Sequence, residues 1–128
     1  MKRIRQVRTS PEERVSVALR ELGLRYRRAP RDLPGRPDFV NKRKRWALFV
    51  NGCFWHHHAR CIRATIPTRN RSFWTAKFVD NKCRDRAKIA ALKALGFKVV
   101  VVWECETFEL SKFRRKLTPL SRFNKTVV

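Results

Sequence analysis

The sequence predicts an α/β domain in which a β-sheet is flanked by helices. Three observations carry that prediction. An amphipathic helix opens the chain, two short strands behind it form a hairpin, and a long segment free of Gly and Pro leads into an apolar β-branched run. Helix, three strands, helix and buried strand in that order suit a sheet with helices packed on it. At 128 residues with 43% apolar content, the chain has one core and one domain, 1–128.

The elements follow in order. In "TSPEERVSVALRELGL", Ser10 caps a helix, Pro11 fits its first turn and Glu13 stands three residues after the cap. Val15, Ala18, Leu19 and Leu22 share one face and Gly23 closes the helix, giving a span of about 11 to 22. "LRYRRA" reads as a short strand and "RDLPGRP" as a turn. "DFVNKRKRWALFVN" holds strands at 38–41 and 45–50 joined by a basic tip, Lys42 to Lys44. From Ser72 to Leu95 the chain carries Trp74, Phe78, Ile89, Leu92 and Leu95, then Gly96, the pattern of a long or bipartite helix. "FKVVVVW" has the composition of a buried central strand, and a weaker helix is expected around 107–117.

Lys and Arg number 32 against 10 Asp and Glu, a formal net charge of +22 with a pI near 11.5. That exceeds what solubility needs and calls for a polyanionic partner, DNA or RNA. No apolar run approaches the roughly 20 residues that span a bilayer. The basic opening "MKRIRQVR" has no apolar segment behind it, as a signal peptide would. A soluble intracellular protein without membrane contact is the expectation.

Without a secretory signal, the four cysteines are expected to be reduced or metal-bound rather than paired. "GCFWHHHARC" places Cys53, His58 and Cys61 in a C-x4-H-x2-C cluster, and Cys105 follows the predicted buried strand, from which the fold can return it. Three thiolates and an imidazole make a closed tetrahedral zinc site with no position left for water, hence a structural one. The spacing differs from the commonest zinc-finger patterns, and the alternative is unliganded buried cysteines beside surface histidines. Cys83 has no evident partner and reads as an ordinary helix residue.

If His58 is a ligand, His56 and His57 remain, either as solvated loop residues or, for one of them, as a general acid or base held beside a rigid loop. Asp38 opens a hydrophobic strand, where a carboxylate either forms a turn or holds a magnesium ion. Glu12 complements the dipole of the first helix, whatever else it does.

"TSPEE", "LPGRPDFV", "NGCFWHHH", "SFWTAK" and "RDRAKIAALKALGFKVVVVWEC" together resemble the very-short-patch repair endonucleases, bacterial enzymes that nick DNA at T:G mismatches. The resemblance runs in the same motif order over about residues 3–106, leaving 107–128 as a short basic C-terminal extension. It implies a restriction-endonuclease-like fold, a central mixed sheet with helices on both sides and a structural zinc site. Asp38 matches the family's magnesium-binding aspartate, and the backbone carbonyl of Val50 takes the place of a second magnesium ligand. His56 matches the catalytic histidine, and Glu12 an acidic residue that positions it or a water on the metal. Cys53, His58, Cys61 and Cys105 match the zinc ligands; "HHHARC" carries one more residue before the second cysteine than the family pattern, which makes His57 the alternative ligand.

In the family the aromatics matching Phe54, Trp55 and Trp74 enter the base stack beside the mismatch. Two adjacent aromatics do not readily both point inward, so Phe54 and Trp55 fit poorly as core residues, whereas Trp74 on its helix would fit well. Arg36, Lys42, Arg43, Lys44, Arg63, Arg69 and Arg71 are candidates for phosphate contacts. Asn51 stands where the family has a histidine near the active site, and the chain starts close to its first helix, without the family's longer N-terminal arm.

The resemblance thus implies a magnesium-dependent endonuclease with structural Zn2+ that acts, as a monomer in the bacterial cytoplasm at the nucleoid, on double-stranded DNA holding a T:G mismatch, with mismatch-repair proteins as candidate partners. The alternatives are a nicking or homing-type nuclease of altered specificity, and a zinc-braced DNA-binding module without catalysis.

Overall fold

The computed structural model of the protein describes residues 10–109 and 113–120. The basic opening "MKRIRQVR", residues 110–112 of the helix expected over 107–117, and residues 121–128 lie outside that description. The elements are α1 (Pro11–Glu21), β1 (Arg27–Arg28), β2 (Phe39–Asn41), β3 (Trp46–Asn51), α2 (Arg71–Ala94), β4 (Lys98–Trp103) and a 3-10 helix (Glu104–Phe108). Residues 113–120 form a further helical segment, α3.

α1 starts where its caps dictate. The Ser10 side chain accepts a hydrogen bond from the Glu13 amide at 3.3 Å, and Pro11 occupies the first turn. It ends at Gly23, whose φ of +74° lets the Leu24 amide turn back to the Leu19 carbonyl at 2.9 Å.

The four strands lie in the order β1-β2-β3-β4. β1, β2 and β3 pair antiparallel and β4 joins β3 in parallel, so the sheet is mixed. The period of two along the strands splits the core into two layers. Phe39, Trp46, Leu48, Val50, Val100 and Val102 face Val15, Ala18 and Leu19 of α1 and Phe113, Leu117 and Leu120 of α3. Val40, Ala47, Phe49, Val99 and Val101 face Ile89 and Leu92 of α2, with Phe97 and Leu33. Helices therefore cover both faces. The segment expected to be an extension beyond residue 106 supplies three buried side chains, Phe113, Leu117 and Leu120, to the first layer.

β4 departs from expectation. Its apolar run predicts a central buried strand, but among the described residues it is an edge strand, and Val102 alone is buried within it. The continuous apolar run reflects helices on both of its faces rather than strands on both of its edges. α2 also differs in detail: it is one unbroken helix of 24 residues, and of the apolar positions expected inside only Phe78 and Leu92 are buried, Leu95 being exposed. Its C-terminal half packs on the sheet, while its N-terminal half carries aromatics away from it.

Candidate active site and metal centre

The metal centre is built from the loop after β3 and the turn after β4. The donor atoms of Cys53, His58, Cys61 and Cys105 all lie within 4.8 Å of one another. His58 Nδ1 is 3.7 Å from Cys53 Sγ and 3.5 Å from Cys105 Sγ. With zinc–sulfur near 2.3 Å and zinc–nitrogen near 2.1 Å, the edge of a tetrahedron joining S to N is about 3.6 Å. Those separations and the donor chemistry fit an ion such as zinc, and they leave no side for water.

The choice between the two histidines is made by the backbone. His57 adopts a φ of +48°, which turns its ring onto Phe78 in a parallel stack at 4.4 Å. His58 then meets the cysteines and stacks on Trp103 at 4.1 Å. Burial pushes the Cys53 thiol up to about 12, and burial also raises Cys105. Cys61 is lowered, chiefly by the Arg63 backbone amide. Cys83 is exposed on α2, away from the cluster, as an ordinary helix residue would be.

A second group of side chains collects at the sheet end where β2 begins and β3 finishes. Phe39 pairs with Leu48, the last rung of the β2–β3 ladder, so the Val50 amide finds no strand partner there. It donates instead to Asp38 Oδ2 at 2.7 Å. In extended backbone the amide and carbonyl of one residue leave on the same edge, which sets the Val50 carbonyl on the Asp38 side. Burial raises the Asp38 carboxyl; the Val50 amide acts against that, Glu12 adds to it, and Arg28 and His56 oppose it. Glu12, Arg28 and His56 are thereby electrostatic neighbours of Asp38. Glu12 is paired with Arg28 at 3.2 Å.

His56 Nδ1 lies 2.6 Å from Asp85 Oδ2 on α2. That contact fixes the ring and leaves Nε2 as the nitrogen available for other work. Asp85 is a site residue the sequence analysis missed; its signal was an acid set between two arginines in "RDR" on a chain with few acids. His56, Asn51, Lys82, Asp85, Arg86 and Trp103 line one cleft. Asn51 is buried in that cleft's wall.

The aromatics form a cluster on the loop after β3 and the first turns of α2. Phe54 is half-buried, with ring centroids 5.1 Å from Trp55, 5.6 Å from Trp74 and 5.3 Å from Phe78. Trp55 is 54% exposed, and Trp74 is half-buried rather than a core residue. The chain thus supports a large solvent-facing indole on an aromatic base.

The expected phosphate contacts are scattered. Arg36 lines a cavity with Asp38. Arg69 and Arg71 are exposed where α2 starts. Arg63 sits over the Phe108 ring at 5.1 Å and 4.0 Å from Glu104. Lys42, which is paired with Asp32, sits with Arg43 and Lys44 in the turn between β2 and β3, the opposite end of that hairpin from Asp38 and Val50. Six residues of β3 put that tip about 17–20 Å from the Asp38 end.

A profile of the family described as DNA mismatch endonuclease Vsr matches residues 1–63. The chain is 42% identical over 110 residues to DNA mismatch endonuclease Vsr of Escherichia coli, spanning 86% of this chain and 67% of that protein. It is 41% identical over 117 residues to the type II nicking enzyme V.XorIIP of Xanthomonas oryzae pv. oryzae, with 91% and 85% covered. It is 38% identical over 128 residues to the type II nicking enzyme V.NmeAIP of Neisseria meningitidis, with 100% and 91% covered. Beside a metal-ready Cys3His cluster and a histidine bonded to a half-buried carboxylate, identity at this level over most of the chain shows that it belongs to the Vsr family of DNA mismatch endonucleases.

Proposed function

We propose that this protein nicks one strand of duplex DNA 5′ to the thymine of a T:G mismatch, on a restriction-endonuclease-like fold that uses Mg2+ in catalysis and Zn2+ as a structural brace. Family membership makes it an endonuclease acting on DNA. The observation that carries the finer reading is the convergence, at one sheet end, of Asp38 bonded to the Val50 amide and His56 bonded to Asp85, on the same loop as the exposed Trp55.

Asp38 and the Val50 carbonyl would hold magnesium, which when bound supplies positive charge to the phosphate and the leaving oxygen. His56, oriented through Nδ1, presents Nε2 to move a proton to or from the attacking water. Glu12 and Arg28, paired with each other near Asp38, set the charge on its flank. Hydrolysis joins the water oxygen to phosphorus and breaks the bond to the 3′ oxygen. One water proton leaves and the 3′ oxygen gains one, giving a 5′-phosphate and a 3′-hydroxyl. Cys53, His58, Cys61 and Cys105 would hold the zinc and thereby fix both Trp55 and His56, which lie between two of the ligands. Arg36, Arg69 and Arg71 grip phosphates, and Asn51 shapes the cleft wall. Arg63 and the hairpin-tip cations Lys42, Arg43 and Lys44 act at the margins of the duplex.

Nicking of matched and T:G-mismatched duplexes with magnesium tests this reading. Mismatch-dependent cutting 5′ to the thymine is expected. A second reading, a nicking enzyme of altered specificity, is favoured by the relatives named type II nicking enzymes, and equal cutting of matched DNA would select it.

Phe54, Trp55 and Trp74 would open the stack at the mismatch, which a wobble pair resists least. Base–aromatic stacking is worth ~1–3 kcal/mol, so Trp55→Ala should lower the preference for mismatched over matched duplex about tenfold. Because its side chain is more than half exposed, the melting temperature should not move. Mismatch preference unchanged in the variant would remove Trp55 from the wedge.

A further inference from the structure

Lys88 stands on α2 one turn beyond Asp85, and its stem is held in place. A Cβ on Gly35 would lie 2.8 Å from both Cβ and Cγ of Lys88, so the "LPGRP" turn and α2 touch through the methylenes of this lysine. Lys88 lines the cavity that Asp38 opens into, together with Ala29, Gly35 and Arg36. It also lines a narrower crevice with Asn51 and Asp85. It is therefore the α2 residue shared by the Asp38 side and the Asp85 side of the site.

The ammonium group is close to charge yet uncommitted. Its Nζ is 4.0 Å from Asp85 Oδ1, too long for a hydrogen bond, while the other Asp85 oxygen serves His56. Arg28, a cation acting on Asp38, is taken up by Glu12. A clamped stem with free ammonium donors, placed between the cavity that Asp38 lines and the crevice of Asp85, the partner of His56, has the form of an anion contact.

We infer that Lys88 is a catalytic residue of this site, its ammonium donating to a non-bridging oxygen of the phosphate that lies between Asp38 and His56. The inference rests on the phosphodiester-hydrolysis reading above. As the water oxygen bonds to phosphorus and the 3′ oxygen departs, negative charge grows on the non-bridging oxygens, and a donor already in place is worth most at that moment. No proton leaves Lys88; it contributes charge and hydrogen bonds only.

Single-turnover nicking of a T:G duplex at saturating enzyme, DNA affinity by fluorescence anisotropy, and melting temperature test this. Lys88→Met should slow nicking about 10²-fold while affinity changes by no more than about threefold and the melting temperature is kept. Lys88→Arg should recover most of the rate. Arg84→Met, an exposed cation of the same helix paired with Asp80, should change neither. Replacing one non-bridging oxygen of the scissile phosphate by sulfur should slow the wild type more than Lys88→Met for one of the two diastereomers, the coupling expected of a direct contact. If Lys88→Met melts early, Lys88→Gln, which keeps most of the stem without the charge, carries the same test.

Nicking by Lys88→Met at the wild-type rate, or a loss confined to affinity, would overturn the inference. Asp38→Ala run in parallel separates the two levels. If it nicks normally, the hydrolysis reading fails; if it is inactive while Lys88→Met is not, only the role of Lys88 fails.

Discussion

Replacing Asp38 by alanine is expected to reduce nicking of a T:G-mismatched duplex by about 10³-fold or more. Losing several kcal/mol of charge stabilisation at the reacting phosphate corresponds to a drop of that size. Asp38 is the half-buried carboxylate at the start of β2 that accepts from the Val50 amide. A gentler variant distinguishes lost chemistry from lost folding. Burial raises the Asp38 carboxyl above its ordinary value of 3.8, so the folded chain holds that proton more tightly than the unfolded one. The stability linked to it is present below the ordinary value and lost as pH rises through the raised one. At neutral pH the ionised carboxylate therefore costs stability, and Asp38→Asn, which still offers an acceptor to the Val50 amide, should melt higher than wild type in magnesium-free buffer that leaves the Cys3His centre loaded. That gain should fade toward pH ~4. An inactive yet more stable variant locates the loss in the site, whereas wild-type nicking by either variant would remove Asp38 from catalysis.

Stripping metal from the Cys53, His58, Cys61 and Cys105 centre is expected to unfold much of the protein. Apparent zinc binding in small domains is on the order of 10–16 kcal/mol, against a total stability of roughly 5–15 kcal/mol for a domain. The first figure equals or exceeds the second, so the fold has little to fall back on. The centre ties the loop after β3 to the turn after β4, just beyond the last rung of the β3–β4 ladder at Asn51 and Trp103, and so closes a loop of about 50 residues. One zinc per chain by elemental analysis is expected, with a large fall in melting temperature after chelation and for Cys105→Ala. Cys83→Ala, on the exposed side of α2, should melt as wild type. Because the Cys53 thiol is pushed up to about 12 when metal is absent, metal must displace its proton, and apparent affinity should weaken as pH falls. A Cys105→Ala chain that melts normally and ignores chelators would show that the cysteines are plain buried thiols.

The ten residues "GCFWHHHARC" hold two thiols and the imidazole of the metal-ready cluster, the exposed indole and the oriented histidine. A loop closed by metal at both ends would keep its intervening side chains in place without a sheet or helix of its own, leaving the Trp55 indole exposed while the adjacent His56 meets Asp85.

Much of the architecture was legible in the sequence because it follows from local patterns. The Ser10 cap, Pro11 and Gly23 bound α1 through groups within one turn of them. The hairpin follows from two β-rich runs with a short basic tip, and the spacing of Cys53, the histidines and Cys61 offered a metal cluster that Cys105 completes in the fold. The two core layers are the strand period written twice. What only the tertiary structure decided involves residues far apart in the chain or a single backbone angle. The apolar run of β4 could not reveal whether helices or strands covered it, since burial leaves the same composition in either case. The adjacent histidines 57 and 58 are chemically identical, and the positive φ at His57 selects the ligand. The pairing of His56 with Asp85, 29 residues on, and the seating of Lys88 over Gly35, depend on where α2 crosses the sheet. Propensity and periodicity act over a few residues, whereas the crossing of a helix over a sheet is set by the packing of the whole layer, so the parts of this site were readable in the sequence and their assembly was not.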